Sequence, residues 1–114
     1  MLFMHPAAFP DPGDPPAADV IADMMRFNDE LAQAGVLLAL DGLTLPQDGA
    51  VVRYAGGRPS VTDGPFTEAK ELVGGYWVIQ ASSKEEAVQW AARCPARDGD
   101  VIEVRPIQRA PGDD

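Results

Sequence analysis

The chain has 114 residues, 46% of them hydrophobic, which suits one ordinary domain that buries a core without disulfides or metals and leaves no room for a second. Nine Lys and Arg stand against 18 Asp and Glu, a formal net charge of -9 that repels polyphosphate and argues against direct nucleic-acid binding. A single cysteine, Cys94, excludes an intramolecular disulfide; with no secretory leader pattern and no apolar run near the roughly 20 residues that span a bilayer, the expected setting is the cytoplasm.

Met1-Leu2-Phe3-Met4-His5 is a short apolar run stopped by Pro6, and it predicts a first strand. Residues 6–16 carry five prolines, one glycine and two aspartates and read as a loop, with Asp14 before Pro15 suited to cap a helix. Val20, Met24, Phe27, Leu31 and Ala34 then recur at spacings of three and four, the apolar stripe of an amphipathic helix that Gly35 ends. A strand over 36–40, with an extension to Leu45, is apolar on both parities until Asp41.

Segments 51–55 and 58–62 flank Gly56-Gly57, the composition of a tight hairpin turn, and Pro59 confines its strand to an edge or a start. The strand over 76–81 is apolar at nearly every position. Ser83-Lys84-Glu85-Glu86 predicts a capping box, Ser83 accepting from the Glu86 amide while Glu86 reaches back, and opens a helix that runs to about Arg93 and stops before Pro95. Over 101–107 Ile102 and Val104 alternate with Glu103 and Arg105, the pattern of a half-buried strand, and residues 108–114 read as a tail.

The order β-α-β, hairpin, β-α-β predicts an α+β fold: a ferredoxin-like split βαβ sheet with a hairpin insertion and both helices on one face. Two helices leave the other face uncovered although its strands are apolar, so a homodimer packed through that face is expected, with any pocket between the sheets or at their rim.

Four landmarks resemble one family in order and separation: Asp63-Gly64-Pro65-Phe66, then Gly74-Gly75-Tyr76, the helix end Trp90-Ala91-Ala92-Arg93-Cys94-Pro95, and Glu103-Val104-Arg105-Pro106. Together they resemble the YCII-related family, specifically its DGPF-domain branch, over nearly the whole chain. The resemblance implies a dimeric ferredoxin-like fold without a cofactor, an activity unassigned for most members, and association of DGPF proteins with extracytoplasmic-function sigma factors. Some relatives are suspected enzymes with a His-Asp pair. This chain departs from that pattern: its helices hold no histidine, and Met24 and Met25 stand where such proteins place one on the first helix.

Asp63 is the first candidate for chemistry. A carboxylate that bonds its own backbone two residues on, a permissive Gly64, a φ-locked Pro65 and a core anchor in Phe66 make a rigid corner, which is chiefly a conformational device. The same rigidity suits a general base or a ligand acceptor at a pocket mouth. His5, the single histidine, is the side-chain type suited to proton transfer near neutral pH, and it ends the first strand. The two form a proton-transfer dyad if their positions meet.

Arg53 and Arg105 are candidate carboxylate binders, with ordinary salt bridging, to Glu103 among others, as the plainer alternative. Tyr76, with Tyr54 and Trp77, is a candidate pocket lining, against core filling. Glu68, Lys70 and Glu71 read as a solvated charged turn closed by Gly74. Arg93 beside Cys94 could lower the thiol pKa, but no partner histidine lies near in sequence. One His and one Cys assemble no metal site, and the glycine pairs match no phosphate loop. Two functions follow: a cofactor-independent enzyme moving protons on a small ligand in a dimeric pocket, or a regulatory or ligand-binding module that engages a sigma factor.

Overall fold

The computed structural model describes residues 1–7, 18–64 and 73–108. Its elements in chain order are β1 (Leu2–His5), α1 (Ala18–Gln33), β2 (Leu37–Gly42), a 3-10 turn (Pro46–Asp48), β3 (Ala50–Ala55), β4 (Arg58–Asp63), β5 (Gly75–Ile79), α2 (Lys84–Ala92) and β6 (Val101–Val104). Residues 8–16 of the proline-rich loop with its Asp14 cap, the Phe66 anchor, the turn of Glu68, Lys70 and Glu71, and all but the first residue of the tail lie outside the described residues.

Four strands form one antiparallel sheet in the order β2-β5-β1-β6, and β3 with β4 forms a separate hairpin. Each helix therefore links two strands that are parallel to one another with a third between them, the connection of a ferredoxin-like split βαβ. Both helices pack on one face. Phe27 and Leu31 of α1 and Ala87 of α2 share a core with Leu2, Trp77 and Ile79, and Phe27 meets Trp77 edge to face with centroids 5.6 Å apart. Indole Nε1 of Trp77 donates to Oδ1 of Asn28 at 2.8 Å, which lets a large ring be buried without orphaning its N–H. No described element covers the other face.

The helix ends follow their sequence signals. Gly35 takes φ 75°, and the amide of Val36 reaches the Leu31 carbonyl at 3.2 Å, closing α1 with a left-handed residue. Ser83 caps α2 by accepting from the Glu86 amide at 3.1 Å. The reciprocal half differs from the expected box: the Glu86 carboxylate accepts from the amide and hydroxyl of Ser82, one residue earlier. In the hairpin, Gly56 and Gly57 take φ 60° and 77°, the turn that two glycines permit.

Two strands end sooner than their apolar patterns. The extension of β2 to Leu45 is not strand: pairing stops at Gly42, and Pro46 opens the 3-10 turn. Near its start β2 carries a bulge between Leu37 and Ala39, so that Leu37 and Leu40 both face the helices while the extra residue, Leu38, stays 62% exposed. Likewise β6 ends at Val104; the Arg105 amide still reaches the Met1 carbonyl at 2.8 Å, but Pro106 has no N–H to extend the ladder.

Candidate functional site

Pairing register, more than sequence proximity, assembles the polar groups of the uncovered sheet face. One rung crosses all four strands: Asp41 opposite Tyr76, Tyr76 opposite Phe3, Phe3 opposite Glu103. Residues two apart along a strand share a face, so His5 and Arg105 join this rung from β1 and from the end of β6. His5 and Glu103 are diagonal neighbours, a separation that a long side chain can bridge. His5 Nε2 lies 2.9 Å from Glu103 Oε1, and Arg105 donates to Glu103 Oε2 at 3.0 Å. At the other end of the rung, the Tyr76 hydroxyl donates to Asp41 Oδ2 at 3.1 Å.

The electrostatics follow from these contacts. The hydrogen bond with His5, then that with Arg105, holds the Glu103 carboxyl below its ordinary range. Tyr76 is pushed up, first by its hydrogen bond to Asp41 and then by that carboxylate's charge. A glutamate fixed as the anion beside an imidazole orients the ring and stabilises positive charge that develops on it. Asp41 and Tyr76 also line a small hollow of about 150 Å3 with Met24, Asn28, Leu40 and Trp77, well below the size of ordinary ligand pockets.

Of the residues singled out from the sequence, His5, Tyr76 and Arg105 thus lie on one face of one sheet, and Glu103 and Asp41 join them. Asp63 and Arg53 lie on the hairpin. Asp63, at the end of β4, is exposed and pairs across to Ala50. The described partner of His5 Nε2 is Glu103, not Asp63. One expectation for the corner changes, and the glycine gains a specific reason. The residue two beyond Asp63 is Pro65, which has no N–H, so the self-bonded turn lacks its donor. Gly64 is not in the positive-φ region; a Cβ there would sit 1.7 Å from the Pro46 carbonyl oxygen, so glycine is required for close approach to the 3-10 turn.

Cys94 fits the reading that gave it no nucleophilic role, although the pKa-lowering cation suggested by its neighbour is engaged elsewhere. Its neighbour Arg93 bonds Glu30 at 2.6 Å and lies over the Trp90 ring, and burial, aided by the charge of Asp100, pushes the thiol pKa up to about 11. Such a thiol is not a nucleophile at neutral pH. Trp77 is core, and Tyr54 is 77% exposed on the hairpin. Among the described residues no three His, Cys, Asp or Glu side chains gather as metal ligands, and no helix is long and apolar enough to cross a membrane.

Strand order, helix placement and the clustered polar face define an α+β domain of the ferredoxin-like kind. A family model of the YCII-related domain matches residues 1–110. The chain is 32% identical over 90 residues to an uncharacterized protein of Rhizobium meliloti (strain 1021), a match covering 77% of this chain and 73% of that protein. The chain belongs to the YCII-related family.

Proposed function

We propose that this protein is a cofactor-independent catalyst of proton transfer on a small ligand. It works as a homodimer whose protomers pack their uncovered sheet faces together and enclose the His5, Glu103 and Arg105 cluster. His5 takes a proton from an acidic C–H of the ligand and returns it, while Glu103, oriented by Arg105, steadies the charged imidazole. Phe3 and Tyr76 supply a flat apolar wall beside it, which favours a ligand with an aromatic or conjugated body.

The 2.9 Å contact between His5 and Glu103 on a sheet face that no described element covers is the observation that supports this reading most. The His5 cluster lies on an open sheet face that no described element of the same chain closes, which is why the pocket is assigned to two copies.

Deuterium uptake from D2O into a panel of small carbonyl C–H acids, followed by NMR, tests the proposal. The wild-type protein should accelerate uptake into at least one compound; His5→Ala should lower that rate by about 100-fold or more and Glu103→Gln by about tenfold. Equal rates for wild type and His5→Ala contradict the proposal, as does the absence of protein-dependent uptake across the panel. If Asp63→Asn abolishes uptake and Glu103→Gln does not, the operative carboxylate is the one on the hairpin.

A further inference from the structure

At the opposite end of the sheet from His5 lies a hollow of about 430 Å3, bounded by the start of β1, the bulge of β2, the link from β5 into α2 and the residues that follow β6. This is the size of an ordinary small-molecule pocket. We infer that it is a second binding site, for a small monoanion with an apolar body such as a medium-chain carboxylate.

The lining has both parts that such a ligand needs. Leu38, Ile79, Val104 and Ile107 form apolar walls, and the charged groups of the described lining are the Lys84 and Arg105 side chains and the Met1 ammonium, all cations. No described lining residue is acidic, in a chain where acids outnumber bases 18 to 9. Two carboxylates stand behind the lining, each with its own donors: Glu86 accepts from the lining residue Ser82, and Glu103 is held between His5 and the lining residue Arg105. Lys84 makes no ion pair with any described residue.

The exposure of Leu38 has a local cause that fits this use. It is the extra residue of the β2 bulge, and a bulge re-aims a side chain that regular pairing would have directed elsewhere. With Arg105 shared with Glu103 and the Met1 ammonium donating to the Arg105 carbonyl, Lys84 is left to meet a single negative charge, and the net charge of -9 disfavours polyanions. The site meets the proton-transfer cluster through Arg105, while His5 itself stands apart: Met1 lines the hollow and His5 lies four residues along β1, roughly 13 Å away at the rise of a strand.

Calorimetric titration of the full chain with octanoate, and with octanol as a neutral analogue, tests the inference. Octanoate should bind saturably at one site per chain, with octanol about tenfold weaker or worse. Lys84→Gln and Leu38→Glu, both at solvent-exposed positions, should each weaken octanoate about tenfold or more, whereas His5→Ala should leave it unchanged. No saturable binding in the millimolar range overturns the site, and so does binding indifferent to both substitutions. Loss in His5→Ala with retention in Lys84→Gln places the anion on the His5 face and equally overturns it.

Discussion

Two adjacent rungs of one sheet, Leu40-Trp77-Leu2-Val104 and Asp41-Tyr76-Phe3-Glu103, lie one residue apart along every strand and do opposite work. The first faces the helices, with Leu2 fully buried and Trp77 5% exposed. The second faces away from them, and its polar groups bond to one another and to His5 and Arg105. Because strand side chains alternate, the same short segments can be spent on stability at one parity and on recognition at the next. A strand that reads as apolar throughout can therefore mean two interfaces, one inside the protomer and one for a partner.

The most severe way to break this comparison is to truncate both sides of β5. Trp77→Ala should lower unfolding free energy by about 3–5 kcal/mol in urea melts, through lost burial and the cavity left against Phe27. Tyr76→Ala should cost far less, because its hydroxyl bonds Asp41 in an exposed position and its ring is not in the core. Equal costs would mean that the two faces are not energetically distinct.

Reactivity gives a second measure of the covered side. With its pKa near 11, Cys94 should be alkylated by iodoacetamide at pH 8 about 100-fold more slowly in the native chain than in urea. A native rate close to the unfolded one would show that the helix layer does not shield it.

The seam between sheet and hairpin is sharpened by glycine substitutions. Gly64→Ala should destabilise by about 1–3 kcal/mol, because its Cβ meets the Pro46 carbonyl and the turn must shift. Gly42→Ala, which meets no atom within 4 Å and needs no positive φ, should be nearly neutral in the same urea melts. The reverse ranking would show that the hairpin is not held at this contact.

The smallest expected effect is electrostatic. The folded-state pKa of Glu103 is lowered, so its contribution to stability is complete above the unfolded value, near 4.5, and is lost as pH falls through the lower folded value. The stability difference between wild type and Glu103→Gln should therefore shrink between about pH 5 and pH 3. A difference independent of pH would mean that the hydrogen bond from His5 does not persist in solution.

Much of the fold was legible because its signals are local. Periodicity located α1, Gly35 marked its end, Gly56-Gly57 marked the hairpin, and Ser83 marked the start of α2. The alternation of Ile102 and Val104 with Glu103 and Arg105 also assigned the two faces of β6 correctly. What depends on register was not legible. Glu103 is 98 residues from His5 in sequence and meets it only because β6 pairs with β1 at one offset. The Leu38 bulge is likewise a property of pairing, since a run of leucines does not say which member is extra.

Long-range contact also explains the corner at Asp63. Its glycine serves an approach to Pro46, 18 positions earlier, which no local turn rule contains. Arg93 next to Cys94 shows the same limit: adjacency in sequence does not direct a guanidinium, which here goes to Glu30 and Trp90, and the thiol is left without the cation that could have lowered its pKa.

The central claim, that the uncovered sheet face is completed by a second copy, is tested most directly by light scattering coupled to size exclusion at micromolar concentration. For a 12.1 kDa chain the account predicts a species of about 24 kDa that falls to monomer when Val78, on the uncovered face of β5, is replaced by Lys. A wild-type mass of about 12 kDa, or a dimer indifferent to Val78→Lys, would contradict it.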